Sequence, residues 1–196
     1  MAVAMETTTQ GRREEILDGA LRVIGRSGRE AVTHRAVAEE AGVPLGSTTY
    51  YFDSRDDLLA QALEHVALKE TERHRVLGEE LRKAKTPRQL ADMLLDQLIF
   101  EADDRVAYIA EYELWLEAGR RPELREAATA WCDAVQLSVA GAMEKLGSTD
   151  PAADASLVVA AIDGLGERAL GREDDAAQAA AEFRPQLRRL VERLIG

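Results

Sequence analysis

One segment of the chain, residues 33–55, concentrates side chains that can bind phosphate and hydrogen-bond to base edges. It reads THRAVAEEAGVPLGSTTYYFDSR. Hydroxyl groups, phenols and arginines are groups that contact the backbone and bases of nucleic acids. The apolar spacing predicts two short helices joined by a tight turn at Gly42-Val43-Pro44. This is the helix-turn-helix arrangement, which presents its second helix to the DNA major groove.

A turn between two short helices is weak evidence alone, since any α-helical protein contains such pairs. The elements around it supply the context. Apolar residues at helical spacing predict a helix over residues 12–26 before the motif, and Thr33 is a good N-cap for the second helix. Ser54-Arg55-Asp56-Asp57 has the form of a capping box and opens a long fourth helix, which we expect to end near Leu81.

Beyond residue 86 the pattern predicts a larger helical body. Chain breaks delimit five further helices, at roughly 87–101, 104–118, 122–146, 151–170 and 174–195. Pro185 lies inside the last of them and should kink or interrupt it. The fold class is therefore all-α. We expect a flexible tail at 1–10, a three-helix DNA-binding domain at 11–55 and, opening on the long connecting helix, a helical bundle for ligand binding and dimerisation at 56–196.

Residues 12–63 resemble the DNA-binding domain of the TetR family of transcriptional regulators. The resemblance covers about a quarter of the chain. It runs through the first helix, the Thr33 start, the run Val37-Ala38-Glu39-Glu40-Ala41-Gly42-Val43, the Tyr51-Phe52 end of the third helix and the Ser54–Leu59 opening of the fourth. It implies that the third helix reads DNA, and that the remaining helices form the family's variable ligand-binding and dimerisation body.

The resemblance, with the chemistry of the side chains, assigns the DNA contacts. Thr33 begins a helix whose free N–H groups suit a phosphate, and His34 and Arg35 stand in its first turn. Four residues begin the recognition helix and are expected to meet bases, by methyl contact, hydrogen bonding or close backbone approach: Leu45, Gly46, Ser47 and Thr48. The expected phosphate anchors are Tyr50, Tyr51 and Arg55.

Two positions depart from the family pattern. The family usually has Ser at position 44 to cap the recognition helix, but Pro44 stands there, with a fixed φ that still suits a helix start. The family commonly has Tyr at position 49, where its hydroxyl meets a phosphate. Here Thr49 occupies that place, and we expect the neighbouring Tyr50 and Tyr51 to substitute. For each polar residue, a solvated surface position is the alternative.

Large side chains cluster in the part of the body where the family places its effector pocket. Tyr108, Tyr112 and Trp115 share one helix face, although an aromatic stripe at this spacing is more often core than pocket. The residues that we assign to ligand binding are Met93, Gln97, Phe100, Tyr108, Glu111, Tyr112, Trp115, Trp131 and Cys132. Gln97 and Glu111 are the polar candidates, with a surface position as the alternative. The set as a whole is mostly apolar and aromatic, which suggests an apolar or aromatic small-molecule effector.

The last two helices have the composition of a dimer interface. One apolar face is rich in small residues: Ala155, Leu157, Val158, Ala161, Ile162 and Leu165. A second face is formed by Leu187, Leu190, Val191 and Leu194. The resemblance implies a homodimer through these helices on a roughly palindromic operator. We therefore expect Leu165→Glu to break the dimer. The alternative is that these faces are buried against the protomer's own body.

Composition excludes several classes of protein. The longest stretch without a charged residue is Ala41–Phe52, twelve residues, whereas a membrane-spanning helix needs about 20. The first residues do not form a signal peptide, so we expect a cytoplasmic protein. The single cysteine, Cys132, excludes an internal disulfide and is interpreted as a small buried apolar residue. The histidines lack metal-ligand spacing, and neither a cofactor nor a catalytic site is expected.

The net charge of −11 argues against DNA only if it is treated as uniform. Residues 1–55 carry seven basic and eight acidic side chains, so most of the acidity lies in residues 56–196. The sequence therefore predicts a homodimeric DNA-binding regulator, most often a repressor in this family, that a small ligand releases from its operator. Two alternatives stay open: a regulator without a small-molecule ligand, and a small helical enzyme that retains a helix-turn-helix.

Overall fold

The computed structural model describes residues 2–171 and 176–196, which form α-helices joined by short turns. The helices are α1 (Ala2–Ser27), α2 (His34–Ala41), α3 (Leu45–Tyr51), α4 (Arg55–Leu81), α5 (Pro87–Asp103), α6 (Arg105–Arg120), α7 (Arg125–Lys145), α8 (Pro151–Gly171) and α9 (Ala176–Ile195). Single 3₁₀ turns lie at Arg29–Ala31 and Pro122–Leu124. The described residues include no strand, so the all-α prediction is confirmed.

Two sequence-based expectations about helix limits differ from the structure. α1 begins at Ala2, so most of the segment expected to be a flexible tail is the first part of this helix. α9 runs through Pro185 without interruption, although proline lacks the N–H that would donate within the helix. Arg184 and Arg188, on either side of Pro185, form ion pairs with Asp92 of α5. These ion pairs offset the hydrogen bond that the proline cannot donate. The expected start of this helix at residue 174 lies outside the described residues.

The helices pack into two compact units that do not follow chain order. The first, here the head unit, contains residues 1–68 and 106–128. The second, here the body unit, contains residues 69–105 and 129–196. α6 therefore packs with the DNA-binding helices, whereas the sequence assigned it to the ligand-binding body. The long helix α4 contributes its first half to the head unit and its second half to the body unit.

The core of the head unit is built by the apolar faces of α1, α2 and α4. The predicted stripe on α1 is buried, as are Val37 and Ala38 of α2 and Leu58 and Leu59 of α4. Arg22 and Arg26 of α1 both donate to the carboxylate of Glu40, at 2.7 Å each, and tie α1 to α2. Burial of this apolar surface is the main stabilising term of the unit.

α6 joins the head unit by close backbone packing against α1. At Gly25 a Cβ atom would lie 1.9 Å from the main-chain oxygen of Val106, at the start of α6. No side chain fits in that space, so only glycine permits this approach of the two helices. The same is not true at Gly11, where a Cβ would meet nothing within 4 Å in the described chain.

The body unit is centred on α5, whose inner face is fully apolar. The buried residues of this helix are Leu90, Ala91, Leu94, Leu95 and Leu98. α9 packs along α5, and Asp92 accepts from Arg184 at 2.9 Å and from Nε and Nη2 of Arg188 at 2.9 and 2.8 Å. Chiefly because of the hydrogen bond from Arg188, the pKa of Asp92 lies below its usual value.

The apolar faces of α8 and α9 are partly used inside the protomer. Leu165 of α8 and Leu187 and Val191 of α9 are buried in the body unit of a single chain. Leu165→Glu would therefore place a charge in the protomer's own core, so it does not test the dimer separately from the fold. Leu157, by contrast, is 55% exposed. One open row of α8 contains small and apolar residues at helical spacing: Ala153, Leu157, Ala160 and the half-buried Gly164.

The contact at Gly25 gives a direct test of the α1–α6 packing. We expect Gly25→Ala to lower the free energy of unfolding by about 1–3 kcal/mol, because α6 must move away from α1. Gly11→Ala is the matched control in the same helix, and should stabilise the protein by up to about 1 kcal/mol through helix propensity alone. Urea unfolding of both variants measures the difference. Equal stability of the two would contradict the close packing.

Candidate nucleic-acid interface

The first helix of the motif begins with a complete N-cap. The Thr33 hydroxyl accepts from the amide of Ala36 at 3.1 Å, in the extended backbone conformation that a cap requires. His34 and Arg35 follow in the first turn; His34 is half-buried and Arg35 is exposed. The start of α2 thus presents a helix N-terminus and one open guanidinium, which is the arrangement that holds an anion.

The turn between α2 and α3 is set by Gly42 and Pro44. Gly42 has φ of 67° and ψ of 30°, a left-handed conformation that glycine adopts readily. Pro44 precedes α3 with φ of −60°, and its carbonyl accepts from the amide of Ser47 at 2.9 Å. Its side chain offers no capping oxygen, so the serine cap usual in the family is replaced by a fixed backbone angle.

The recognition helix α3 presents an open, uncharged surface. Leu45 is 50% exposed and Tyr50 is 79% exposed, and their neighbours Gly46 and Thr49 are exposed as well. A Cβ at Gly46 would meet no atom of the described chain within 4 Å, so the fold itself does not require glycine there. Ser47 is half-buried. Since the sequence has no carboxylate between Ala41 and Phe52, nothing on this helix repels phosphate.

The two tyrosines expected to replace the family's phosphate-binding tyrosine lie side by side. The rings of Tyr50 and Tyr51 meet edge to face with centroids 5.0 Å apart. Tyr51 is half-buried and packs towards Phe52, which is buried in the core of the unit. The Thr49 hydroxyl faces its own helix and donates to the carbonyl of Gly46 at 3.3 Å. Tyr50 is therefore the open phenol of the pair.

Thr48 has a different place from the one that the sequence suggested. It is 0% exposed, and its hydroxyl donates to the carbonyl of Leu45 at 2.8 Å and to that of His34 at 3.4 Å. A base cannot reach this hydroxyl while the head unit is folded. Thr48 therefore holds the start of α3 against the start of α2, and we remove it from the set of candidate base contacts.

Arg55 is also used within the protein. Its Nε donates to the carbonyl of Val32 at 2.8 Å, and its Nη2 donates to the carbonyl of Arg29 at 3.0 Å and to Glu30 at 3.2 Å. These bonds fix the loop that leads into α2. Arg55 therefore positions this loop through its Nε and Nη2, and its expected contact with a phosphate stays a prediction. The predicted capping box beside it is present, with the amide of Asp57 donating to Ser54 Oγ at 3.0 Å.

A buried carboxylate in this unit, that of Glu117, was not predicted from the sequence. Glu117, at the end of α6, is 1% exposed and accepts from Arg29 at 2.6 Å, from Arg120 at 2.9 Å and from Arg121 at 3.1 Å. The spacing from Glu117 to the two later arginines suggests an ordinary exposed helix pair. Only the contact with Arg29, from the segment before α2, explains why this carboxylate is buried.

Comparison with known proteins identifies the family. Residues 16–62 match the family described as bacterial regulatory proteins of the tetR family, and residues 85–196 match the tetracyclin repressor-like C-terminal domain. The second match alone covers more than half of the chain. The chain belongs to the TetR family. Its head unit is thus a helix-turn-helix DNA-binding domain, and the families that it matches are regulators rather than enzymes.

Individual TetR regulators resemble the chain over different lengths. The HTH-type transcriptional regulator BetI of Agrobacterium fabrum is 30% identical over 160 residues, which cover 79% of this chain and 74% of that protein. PksA of Bacillus subtilis is 42% identical over 62 residues, which cover 32% of this chain and only 30% of PksA. The multidrug binding protein EbrR, solved in complex with ethidium, is 34% identical over a match that covers 94% of this chain and 99% of that chain, with a TM-score of 0.66.

The predicted effector residues of this TetR regulator fall in both compact units. The body unit contains Met93, Gln97, Phe100, Trp131 and Cys132, and the head unit contains Tyr108, Glu111, Tyr112 and Trp115. Tyr108 and Trp131 are buried, and the rings of Tyr108 and Tyr112 meet edge to face at 5.2 Å. Phe100 is largely exposed, so it does not line an enclosed space within the body unit. Cys132 is exposed, contrary to the expectation of a buried residue.

Acidic side chains gather near these residues in the body unit. Glu101 is mostly buried and accepts from Gln97 at 2.9 Å and from Arg73 of α4 at 2.6 Å. Asp163 of α8 lies close by; desolvation, reinforced by the charges of Glu101 and Glu167, raises the pKa of Asp163 to about 6. The pKa of the Cys132 thiol is also raised, by desolvation and by two nearby carboxylates, so the thiol is protonated at neutral pH.

The described part of the chain offers neither a metal-binding cluster nor a membrane-spanning helix. Residues 2–171 and 176–196 contain no group of three or more histidine, cysteine, aspartate or glutamate side chains placed to hold a metal ion. Among the same residues, no helix is both long and apolar enough to cross a membrane.

Proposed function

We propose that the chain is a homodimeric repressor, active in the cytoplasm, that binds a roughly palindromic operator and leaves it when a small molecule binds. The observation that carries the DNA-binding part is the open face of α3, where Leu45, Gly46 and Tyr50 are exposed on a helix without carboxylates. Family membership supports the same function. Two such heads related by a two-fold axis would meet two half-sites of the operator.

The proposed DNA contacts follow from which polar groups remain open. Arg35 and the N-terminus of α2, capped by Thr33, would bind phosphate, with His34 beside them. On α3 we propose that Leu45 and Ser47 meet base edges and that Gly46 lets the backbone approach them. Tyr50 would be the main phenol donor to phosphate, supported by Thr49 and Tyr51. Because residues 1–55 carry no excess of basic side chains, these few contacts must supply most of the affinity.

We further propose that the effector is an aromatic organic cation. EbrR has been solved in complexes with proflavin, ethidium and malachite green, which are aromatic organic cations. In this chain, Asp163, Glu101 and Glu167 place three carboxylates in one part of the body unit, and Arg73 is the arginine that pairs with Glu101. A cation bound there would favour the ionised form of Asp163. This refines the apolar or aromatic effector that the sequence suggests.

The proposed dimer uses the outward side of the last two helices. Ala153, Leu157 and Ala160 lie open on α8, and their small volume allows a second helix to approach closely. Leu190 and Leu194 of α9 are half-buried in the single chain, which leaves apolar surface to cover. A regulator with no effector would share all of these features except the acidic cluster, and that cluster is why we favour a ligand-responsive function.

The DNA contacts are tested by charge removal at Arg35. On an operator selected from a random DNA pool, we expect Arg35→Ala to weaken binding and to reduce the log–log salt slope by about one, since one phosphate contact is lost. Arg75→Ala removes the same charge from an exposed site on α4 in the body unit and should leave the slope unchanged. Fluorescence anisotropy over a range of salt concentrations gives both slopes. Identical slopes for the two variants would remove Arg35 from the interface.

The dimer surface is tested by a charge at Leu157. We expect Leu157→Glu to shift the protein from dimer to monomer in sedimentation velocity, because two carboxylates would be buried at the two-fold axis. Leu68→Glu is the matched control, since Leu68 is also exposed but lies on α4. Both variants should keep the wild-type circular dichroism spectrum. A Leu157→Glu dimer as tight as the control would place the interface elsewhere.

The effector proposal predicts a pH dependence of dye binding. The pKa of Asp163 is raised to about 6, so its carboxylate is charged above this pH and neutral below it. We expect ethidium, whose charge does not change in this range, to bind about fourfold more weakly at pH 5.5 than at pH 7.5, in proportion to the ionised fraction of Asp163. Fluorescence titration at both pH values measures the ratio.

Variants assign this pH effect to one carboxylate. Asp163→Asn should weaken ethidium binding at pH 7.5 and abolish the fourfold change with pH. Glu144→Gln, at an exposed position of α7, should behave like the wild type. If Asp163→Asn keeps the full pH dependence, the cation is not bound at this cluster.

A further inference from the structure

The guanidinium of Arg73 lies between two mostly buried carboxylates of the body unit. Its Nη1 donates to Glu101 Oε1 of α5 at 2.6 Å, and its Nε donates to Glu70 Oε2 of α4 at 2.5 Å. The side chains of Glu70 and Glu101 are only 13% and 17% exposed. Carboxylates so far removed from water need a partner, and the guanidinium gives each of them a charge-assisted hydrogen bond.

Arg73 does not satisfy this cluster completely. Its Nη2 is buried and lies against the same oxygen of Glu70, but it forms no hydrogen bond. Two carboxylates and one guanidinium leave an excess negative charge, to which Asp163 adds when it is ionised. The adjacent His74 does not balance it, because desolvation and the charge of Arg73 lower the pKa of His74 and keep its ring neutral at neutral pH. The cluster therefore attracts further positive charge.

The two bonds of Arg73 differ in what they join. Glu70 precedes Arg73 by three residues on α4, so these side chains stay neighbours on one helix. Glu101 belongs to α5 and also accepts from Gln97 of its own helix at 2.9 Å. The guanidinium can thus turn away from Glu101 and keep its partner on α4, while Glu101 keeps a donor on α5. The Arg73–Glu101 pair is the bond that a competing cation can replace.

We propose that Arg73 occupies, in the free protein, the position on Glu101 that a cationic ligand takes, and that this autoinhibitory contact sets the affinity and charge specificity of the site. The inference rests on the proposed function, because it concerns the cationic effector proposed for this cluster. A ligand has to carry a positive charge to replace the guanidinium. A neutral aromatic molecule would leave Glu101 charged and unpaired, so the exchange selects against it.

The first experiment compares two arginines of α4. Arg73→Ala removes the competing guanidinium, whereas Arg75→Ala removes the same charge from an exposed position two residues later. We expect Arg73→Ala to bind ethidium about tenfold more tightly than the wild type at pH 7.5, because the carboxylates have lost their internal cation. Arg75→Ala should bind as the wild type does. Fluorescence titration measures all three affinities. A merely structural role of Arg73 would not strengthen binding.

A double variant assigns the gain to Glu101. Glu101→Gln neutralises the carboxylate on which the exchange takes place, so adding it to Arg73→Ala should remove the tenfold gain in ethidium affinity. Glu144→Gln, combined with Arg73→Ala in the same way, is the matched control at an exposed position of α7 and should keep the gain. Equal ethidium affinities of the two double variants would contradict a role of Glu101.

The guanidinium ion tests the same position without ethidium. Arg73→Ala opens a space the size of the lost group beside two carboxylates. We expect guanidinium chloride at about 10 mM to raise the melting temperature of Arg73→Ala by about 2–4 °C relative to sodium chloride at the same concentration. The wild type and Arg75→Ala should show no such difference, because in both proteins Arg73 fills the position.

A lysine variant keeps the inference testable if Arg73→Ala does not fold. Lysine retains the charge but lacks the planar fork and is more strongly hydrated, so it should leave Glu101 more easily than arginine does. Arg73→Lys should therefore bind ethidium about threefold more tightly than the wild type, and Arg75→Lys should not. In that case, equal affinities of these two variants would overturn the inference.

The outcomes separate this inference from the proposed function. If neither the wild type nor Arg73→Ala binds ethidium, the proposed effector is wrong, and the guanidinium experiment decides the role of Arg73 alone. The inference is wrong if guanidinium does not stabilise the folded Arg73→Ala protein. It is also wrong if the wild type binds ethidium and Arg73→Ala binds it no more tightly than Arg75→Ala does.

Discussion

A helix of seven residues is not stable alone in water, and the head unit is built around this constraint. α3 spans Leu45–Tyr51 and has no side-chain cap, because Pro44 precedes it. It is held by the buried hydroxyl of Thr48, by Phe52 in the core below it and by the guanidinium of Arg13 over the Phe52 ring at 5.9 Å. All of this support comes from the inner side, so the outer side of α3 takes no part in folding and is available for recognition.

Much of the fold could be predicted from the sequence because local signals mark the helix ends. The capping box at Ser54 and the loss of periodicity after Leu81 gave both ends of α4. The roles of Thr48 and Arg55 could not be predicted in this way. The sequence alone does not distinguish a threonine that bonds to its own helix, or an arginine that bonds to backbone carbonyls, from a residue that contacts DNA. The burial of Glu117 depends on Arg29, and no local pattern links residues so far apart.

The distribution of charge explains how an acidic protein can bind DNA. Residues 1–55, which contain the helix-turn-helix, are almost neutral, and most of the excess carboxylates lie after residue 55. Some of these carboxylates hold α9 to α5. Asp92, for example, accepts from Arg184 and Arg188 of α9. Others, such as Asp163, are desolvated and lie close to like charges, at a cost that shows in the raised pKa of Asp163. Proteins tolerate such a cost where a function needs the charge, which is the reason to look for a cation there.

The open space beside Gly46 affects how the operator preference of this DNA-binding domain can change. Glycine weakens a helix by about 1 kcal/mol relative to alanine, and no neighbour in the described chain requires its small size. Any side chain introduced at position 46 would point away from the core and leave the packing of Thr48 and Phe52 intact. A single substitution would therefore stabilise α3 and exchange the proposed close approach of the backbone for a side-chain contact with the bases. Operator preference in this scaffold can diverge without any repacking of the protein interior.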